Sequence, residues 1–171
     1  KMGFYSPDSN DLEGFDNGFN GEIALGHYFG PNLAGEIGLG YFGTSGKFYG
    51  YDVDAGYFSE DFDIDVTPVT LSLKAVFPVA RHIEFYGIGG IGAYFVRGSI
   101  DVATEHWGDY DLSDDDTAFG AHLGGGFNIN LDRRIFLGAE AKYIWAEADF
   151  KNDFDNLSVD LGGFVFTANL G

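Results

Sequence analysis

The chain contains no cysteine, which excludes disulfides and thiolate metal sites. Proline is scarce, with 4 among 171 residues, so the 27 glycines do not belong to a proline-rich linker. Basic residues are few: 9 Lys and Arg face 27 Asp and Glu, for a net charge of −18. That balance argues against binding nucleic acid through its phosphates. No stretch approaches the roughly 18 apolar residues of a membrane helix, and the longest candidate, Ile88 to Val96, is too short. A barrel strand needs only about 9–11 residues and stays open as a reading. The N-terminal Lys1-Met2-Gly3-Phe4-Tyr5 lacks the apolar core of a secretory signal. The expectation is a mature form or a protein never exported. What is present is a chain 45% hydrophobic and 18% aromatic, too apolar for a disordered tail. The length fits a single domain spanning 1–171.

The dominant period is two. Phe19, Gly21, Ile23, Leu25, His27 and Phe29 alternate with Asn20, Glu22, Ala24, Gly26 and Tyr28. After the turn signal Gly30-Pro31-Asn32, Leu33, Gly35, Ile37, Leu39 and Tyr41 alternate with Ala34, Glu36, Gly38 and Gly40. The unit recurs with Val69, Leu71, Leu73, Ala75 and Phe77 set against Thr70, Ser72 and Lys74. Pro78 is expected to stop that strand, because it has no N–H for the ladder, and Val79 to His82 to turn the chain. A glycine-rich strand from about Ile83 to Arg97 has no clear inward face. Phe119, Ala121, Leu123, Phe127 and Ile129 form one face of the next strand, and Asp132-Arg133-Arg134 turns it. Ile135, Leu137, Ala139, Ala141, Tyr143 and Trp145 then alternate with Gly138, Glu140 and Lys142. A last strand runs from about Leu157 to Leu170, and Lys1 to Ser6 reads as the end of an eighth.

Short turns join alternate pairs, whereas residues 44–61, 98–116 and 149–156, with Pro7 to Asp16, read as long polar loops. Short turns at one end and long loops at the other are the outer-membrane pattern. The expected fold is all-β, an eight-stranded antiparallel up-and-down transmembrane barrel. Its interior is just wide enough for side chains. Small residues and a few charges suit that interior, and bulky aliphatics suit lipid. Glu22, Glu36, Lys74, His122, Glu140 and Lys142 are therefore the candidate interior polar network, paired because a lone buried charge is costly. Tyr28, Phe29, Tyr41, Phe42, Phe77, Tyr143 and Trp145 are candidates for aromatic girdles at the headgroups.

The segments GFNGEIALGHYFGPNLAGEIGLGYFGT (18–44), TPVTLSLKAVFP (67–78), FYGIGGIGAYF (85–95) and FLGAEAKYIWAEA (136–148) resemble the small outer-membrane beta-barrel family of Gram-negative bacteria, of the OmpA/OmpX type. The resemblance covers nearly the whole chain and rests on pattern. It implies periplasmic turns and termini, extracellular loops and a place in the bacterial outer membrane. Members usually finish on an aromatic, whereas this chain stops at Gly171. A few residues are expected to be missing at each end.

No catalytic constellation stands out. His27, His82, His106 and His122 have no partner at metal spacing, and neither H-x-S nor G-x-S-x-G occurs. No enzyme is expected. His122 is read as an interior residue beside Glu or Tyr, and His82 as a solvated turn residue. The acidic stretch carrying Asp109, Asp111, Asp114, Asp115 and Asp116 offers oxygen ligands for Ca²⁺ or Mg²⁺. It lacks EF-hand spacing, and a solvated loop, or one bridged by divalent ions to lipopolysaccharide phosphates, explains it as well. Arg81, His82, Arg133 and Arg134 make the opposite end basic. The expected role is structural or surface-interacting: a monomer with a plugged polar interior, in contact with outer-membrane lipid and lipopolysaccharide. Trp107, Tyr110, Tyr49 and Tyr51 are candidate partner contacts. A narrow channel and a soluble ligand-binding barrel with inverted faces are the alternatives.

Overall fold

The computed structural model describes residues 1–8, 17–52, 56–104, 110–131, 135–152 and 155–171, with side chains outside 47–62, 100–114 and 149–158. Nine strand segments follow in order: β1 (Met2–Pro7), β2 (Gly18–Tyr28), β3 (Leu33–Asp52), β4 (Gly56–Ala80), β5 (Ile83–Thr104), β6 (Tyr110–Asn130), β7 (Phe136–Asn152), β8 (Asp155–Asp160) and β9 (Gly163–Leu170). Each pairs antiparallel with its neighbour in sequence, apart from β8 and β9. Those two are halves of one stave, both paired with β7 and interrupted at Leu161-Gly162. β9 also pairs with β1, from Met2↔Ala168 to Pro7↔Gly163, which closes eight staves into a barrel. Closure leaves no open edge within the wall, as a hydrocarbon surrounding requires.

The pleat sends alternate side chains to opposite faces. Ile23, Leu25, Ile37, Leu39, Leu71, Leu73, Leu123 and Leu137 all stand exposed on the outside. Glu22, Thr70, Ser72, His122, Glu140 and Lys142 are buried inside. The two strands with unclear faces resolve the same way. In β5, Phe85, Ile91 and Phe95 point out while Tyr86, Ile88, Tyr94 and Val96 are buried. In β9, Phe164, Phe166 and Leu170 are exposed while Val165, Thr167 and Asn169 are buried.

Several expectations are corrected. Pro78 does not end its strand: β4 runs on to Ala80 with a register shift between Pro78 and Ala80, a bulge that absorbs the missing donor. Arg81 and His82 alone make that turn. Residues 132–134 lie outside the described residues, as do the loop positions 9–16. Much of the sequence expected as loop is paired strand. β3 and β4 stay in register from Leu33↔Ala75 to Asp52↔Gly56, and β5 and β6 from Ile83↔Ile129 to Val102↔Tyr110. Polar composition concealed this, because both faces of a sheet standing in water can be polar.

The interior also departs from the small-and-charged expectation. Tyr5, Phe42, Val66, Tyr94, Val96, Ala118, Ile144, Ala146, Ala148, Leu161 and Val165 form a buried apolar cluster toward the loop end. Phe42 belongs to it, against the Tyr5 ring at 4.5 Å between centroids, and is not a girdle residue. Tyr28 likewise has inward parity and sits at the turn-end mouth, donating to Glu84 Oε1 at 3.3 Å. Phe29, Tyr41, Phe77 and Trp145 are exposed on the outer face, and Tyr143 packs against Trp145 and Phe164 there.

Candidate functional site

The most organised chemistry lies inside the barrel, between the apolar cluster and the turn end. Three lysines and three glutamates converge there. Lys1 Nζ lies 2.7 Å from Glu22, 2.6 Å from Glu36 and 3.1 Å from Glu140. Lys74 Nζ donates to Glu36 at 2.6 Å and lies 3.6 Å from Glu140. Lys142 Nζ donates to Glu22 at 2.5 Å and lies 3.9 Å from Glu140. Each carboxylate thus faces at least two ammonium groups and the formal charges cancel. Charges removed from water need this density of partners.

Four strands of the wall and the residue before β1 deliver these groups. Glu22 comes from β2, Glu36 from β3, Lys74 from β4, and Glu140 and Lys142 from successive inward positions of β7. Lys1 precedes β1. Glycine makes room: a Cβ on Gly38 would come within 2.6 Å of Thr70 Oγ1 and 3.4 Å of the Glu22 carboxyl, and one on Gly90 within 2.9 Å of His122 Cε1. Uncharged groups complete the set. Tyr86 OH donates to Glu140 Oε2 at 2.9 Å and accepts from Asn169 Nδ2 at 3.1 Å. Lys74 Nζ sits 4.6 Å from the Tyr86 ring centroid, a cation–π contact. His122, inside the barrel beside the glutamates as expected, meets Ser72 Oγ through Nε2 at 2.8 Å. Toward the turn end, Asn128 Nδ2 donates to Glu84 at 2.9 Å.

Five of the six residues proposed from sequence therefore meet in one cluster, with His122 beside it. Lys1, Tyr86, Ser72, Asn128 and Asn169 were missed. Lys1 shares inward parity with Gly3 and Tyr5, but six residues give a weak period. Tyr86 was hidden by the glycines around it.

The acidic segment is different. Asp109 lies outside the described residues, and Asp111 and Asp114 fall in β6 with undescribed side chains. Of the two described positions, alternation puts Asp115 and Asp116 on opposite faces of β6. Asp115 Oδ1 accepts from Arg97 Nε at 2.9 Å on the outer face, and that bond, with the carboxylate's charge, raises the Arg97 pKa further. Among the described residues, no group of three or more His, Asp or Glu is placed to hold a metal ion. Above the aromatic residues, Tyr41, Asp65, Phe95, Arg97, Asp115 and Thr117 line an open outer groove. Tyr49, Tyr51 and Tyr110 lie in β3 and β6, and Trp107 lies outside the described residues.

The family model for the outer membrane protein beta-barrel domain matches residues 1–164. Among solved structures, the chain aligns with Ail, the attachment invasion locus protein of Yersinia pestis, at 17% identity and a TM-score of 0.39, over 96% of this chain and 91% of that one. No curated protein matches.

Proposed function

The chain belongs to the outer membrane protein beta-barrel domain family, and from that footing we propose that it is a non-catalytic surface protein of the bacterial outer membrane. In this reading the barrel anchors a tall sheet that meets partners outside the cell. One observation carries it. β3 continues to Asp52, while β2 pairs with it no higher than Asn20↔Phe42. β6 begins at Tyr110, while β7 pairs with it no higher than Phe119↔Glu147. The four strands between thus rise past the rest of the wall. Among the described residues, no strand pairs with the two outer edges of this extension. Unpaired backbone edges are ready templates for another chain. Protease treatment of intact cells tests the reading: cleavage within residues 44–61 or 98–116 is expected, and complete protection of both would count against it.

The lysine–glutamate cluster supports a plugged lumen, since an eight-stranded barrel has little space beyond its side chains. Planar-bilayer recording should show no steady current; a steady open state would replace the plug with a narrow channel. Ser72 and His122 resemble a nucleophile and base. They are enclosed, and His122 Nδ1 has no partner among the described residues to orient the ring as a triad carboxylate does. The acidic strand ends would stand near lipopolysaccharide phosphates, and Ca²⁺ or Mg²⁺ between those like charges is the chemistry that would join them. Calorimetric titration with calcium should release or absorb heat; none at millimolar ion would remove that bridge.

A further inference from the structure

We propose that the outer groove around Phe95 and Arg97 binds the uncharged sugar headgroup of a glycolipid in the surrounding leaflet. This site needs neither a protein partner nor the cation bridge considered above.

Register carries the argument. β4, β5 and β6 run side by side here, and their outward residues form tiers. The lowest is Val69, Ala93 and Phe119, an apolar row. Next come Thr67, Phe95 and Thr117, and then Asp65, Arg97 and Asp115. Asp63 and Ser99 begin the tier above. Apolar wall thus gives way to hydroxyls and charges within two tiers, each about 7 Å along a strand. Such a step, with aromatic rings at it, is where headgroups meet a barrel. Leu39↔Val69 and Phe42↔Val66 bracket Tyr41 and set it level with Thr67. Tyr41 and Phe95 therefore stand two strand spacings apart, about 10 Å, with Thr67 between them. The groove has a volume of about 590 Å³, within the range of small-ligand sites. Gly43 helps to shape its rim: a Cβ there would lie 2.8 Å from Asp65 Oδ1 and 3.2 Å from Tyr41 OH, the two atoms joined by the Tyr41 hydrogen bond.

The lining selects the ligand. A sugar ring offers C–H groups on its face and hydroxyls around its edge. The negative π faces of Tyr41 and Phe95 attract the first. Asp65 and Asp115 accept from hydroxyls, Arg97 donates to them, and Thr67 and Thr117 do either. A phosphate would seek the guanidinium, but Arg97 stands between two carboxylates in its own tier and already donates to Asp115. That balance favours a neutral ring over an anion. The apolar tier beneath sets the source. A lipid headgroup seated in the groove keeps its acyl chains against Val69, Ala93 and Phe119, an anchorage that a free sugar lacks.

The test is amide NMR on the full chain in phosphatidylcholine nanodiscs, titrated with a monoglucosyl diacylglycerol. Saturating shifts are expected at Thr67, Phe95 and Thr117, and they should persist in EDTA. Phosphatidic acid at the same mole fractions should bind at least fivefold more weakly, and methyl glucoside in the buffer at least tenfold more weakly. Phe95→Leu and Arg97→Ala, each checked for heat-modifiable gel migration, should both weaken the glucolipid at least fivefold. No shift with the glucolipid, or unchanged affinity in both variants, would overturn the site. Equal binding of phosphatidic acid would replace it with an anion site, equal binding of methyl glucoside with a free-sugar site, and loss in EDTA with a cation bridge; each of these also overturns it.

Discussion

The two interior layers of this barrel fill the same cross-section by opposite means. Toward the turns, Lys1, Lys74 and Lys142 are interleaved with Glu22, Glu36 and Glu140. Toward the loops, Tyr5, Phe42, Val66, Tyr94 and Leu161 pack as an ordinary apolar core. The ionic layer ties β2, β3, β4 and β7 together, because each charge must find its partners. The apolar layer packs closely, and its side chains keep almost no exposed surface. A barrel with only the first would hold polar groups in a wet column, and one with only the second would specify its register less tightly. The layers therefore fail differently, and substitutions in each should separate them.

The largest effect is expected in the apolar layer. Phe42→Ala removes a ring packed on Tyr5 and leaves a cavity that neighbouring strands cannot fill. Loss of stability should be about 4 kcal/mol, the usual range for a buried phenylalanine, measured by urea unfolding in lipid vesicles. A loss as small as that of a surface substitution would mean that the layer is loosely packed.

Glu140→Leu probes the ionic layer. It leaves three ammonium groups facing two carboxylates and removes the acceptor of the Tyr86 hydroxyl. Stabilities should fall by about 3 kcal/mol, as when one partner of a buried pair is deleted. The paired replacement of Glu22→Leu with Lys142→Met should cost less than the sum of its singles, since it removes both members of the shortest bridge together. Additive losses would show that the two charges do not depend on each other.

Tyr86→Phe is a finer cut at the same layer. It keeps the ring beneath Lys74 and removes one hydroxyl bonded to Glu140 and Asn169. A bond to a charged acceptor is worth about 2 kcal/mol, so the loss should fall between those of the charge deletion and a surface change. Loss equal to that of Glu140→Leu would mean that Tyr86 positions the carboxylate and does not merely add to it.

How much of this was legible follows from how each layer is encoded. Alternation declares itself where large apolar residues face small or charged ones, as with Ile23 and Leu25 against Glu22 or Leu137 and Ala139 against Glu140 and Lys142. These strands, the closure and most of the ionic cluster could be read from the chain. Where both faces carry apolar bulk, the period is blurred: Val165 and Phe166, or Tyr94 and Phe95, differ only in which way the pleat turns them. The apolar layer is built from such positions and was therefore invisible. Phe42 was misplaced for the same reason, since Tyr41 and Phe42 are adjacent aromatics and parity alone separates lipid from lumen. The tall sheet was lost to composition: its residues read as loop because a strand in water has no apolar face to betray it.

The Arg97–Asp115 ion pair lies outside both layers and sharpens what enclosure contributes. Arg97 and Asp115 meet at 2.9 Å, a distance comparable to those in the lumen, yet their side chains are 68% and 66% exposed, against 1–14% in the cluster. In water the Coulomb attraction is screened and two long side chains must be held in one geometry, so such pairs contribute little. Register does not depend on them either: the Arg97↔Asp115 pairing sits within a β5–β6 ladder that continues on both sides. Arg97→Ala should leave the urea midpoint unchanged at moderate salt. A drop approaching that of Tyr86→Phe would mean that the outer groove around Tyr41, Asp65 and Phe95 excludes solvent in the membrane, and that enclosure by lipid can strengthen an ion pair as enclosure by the lumen does.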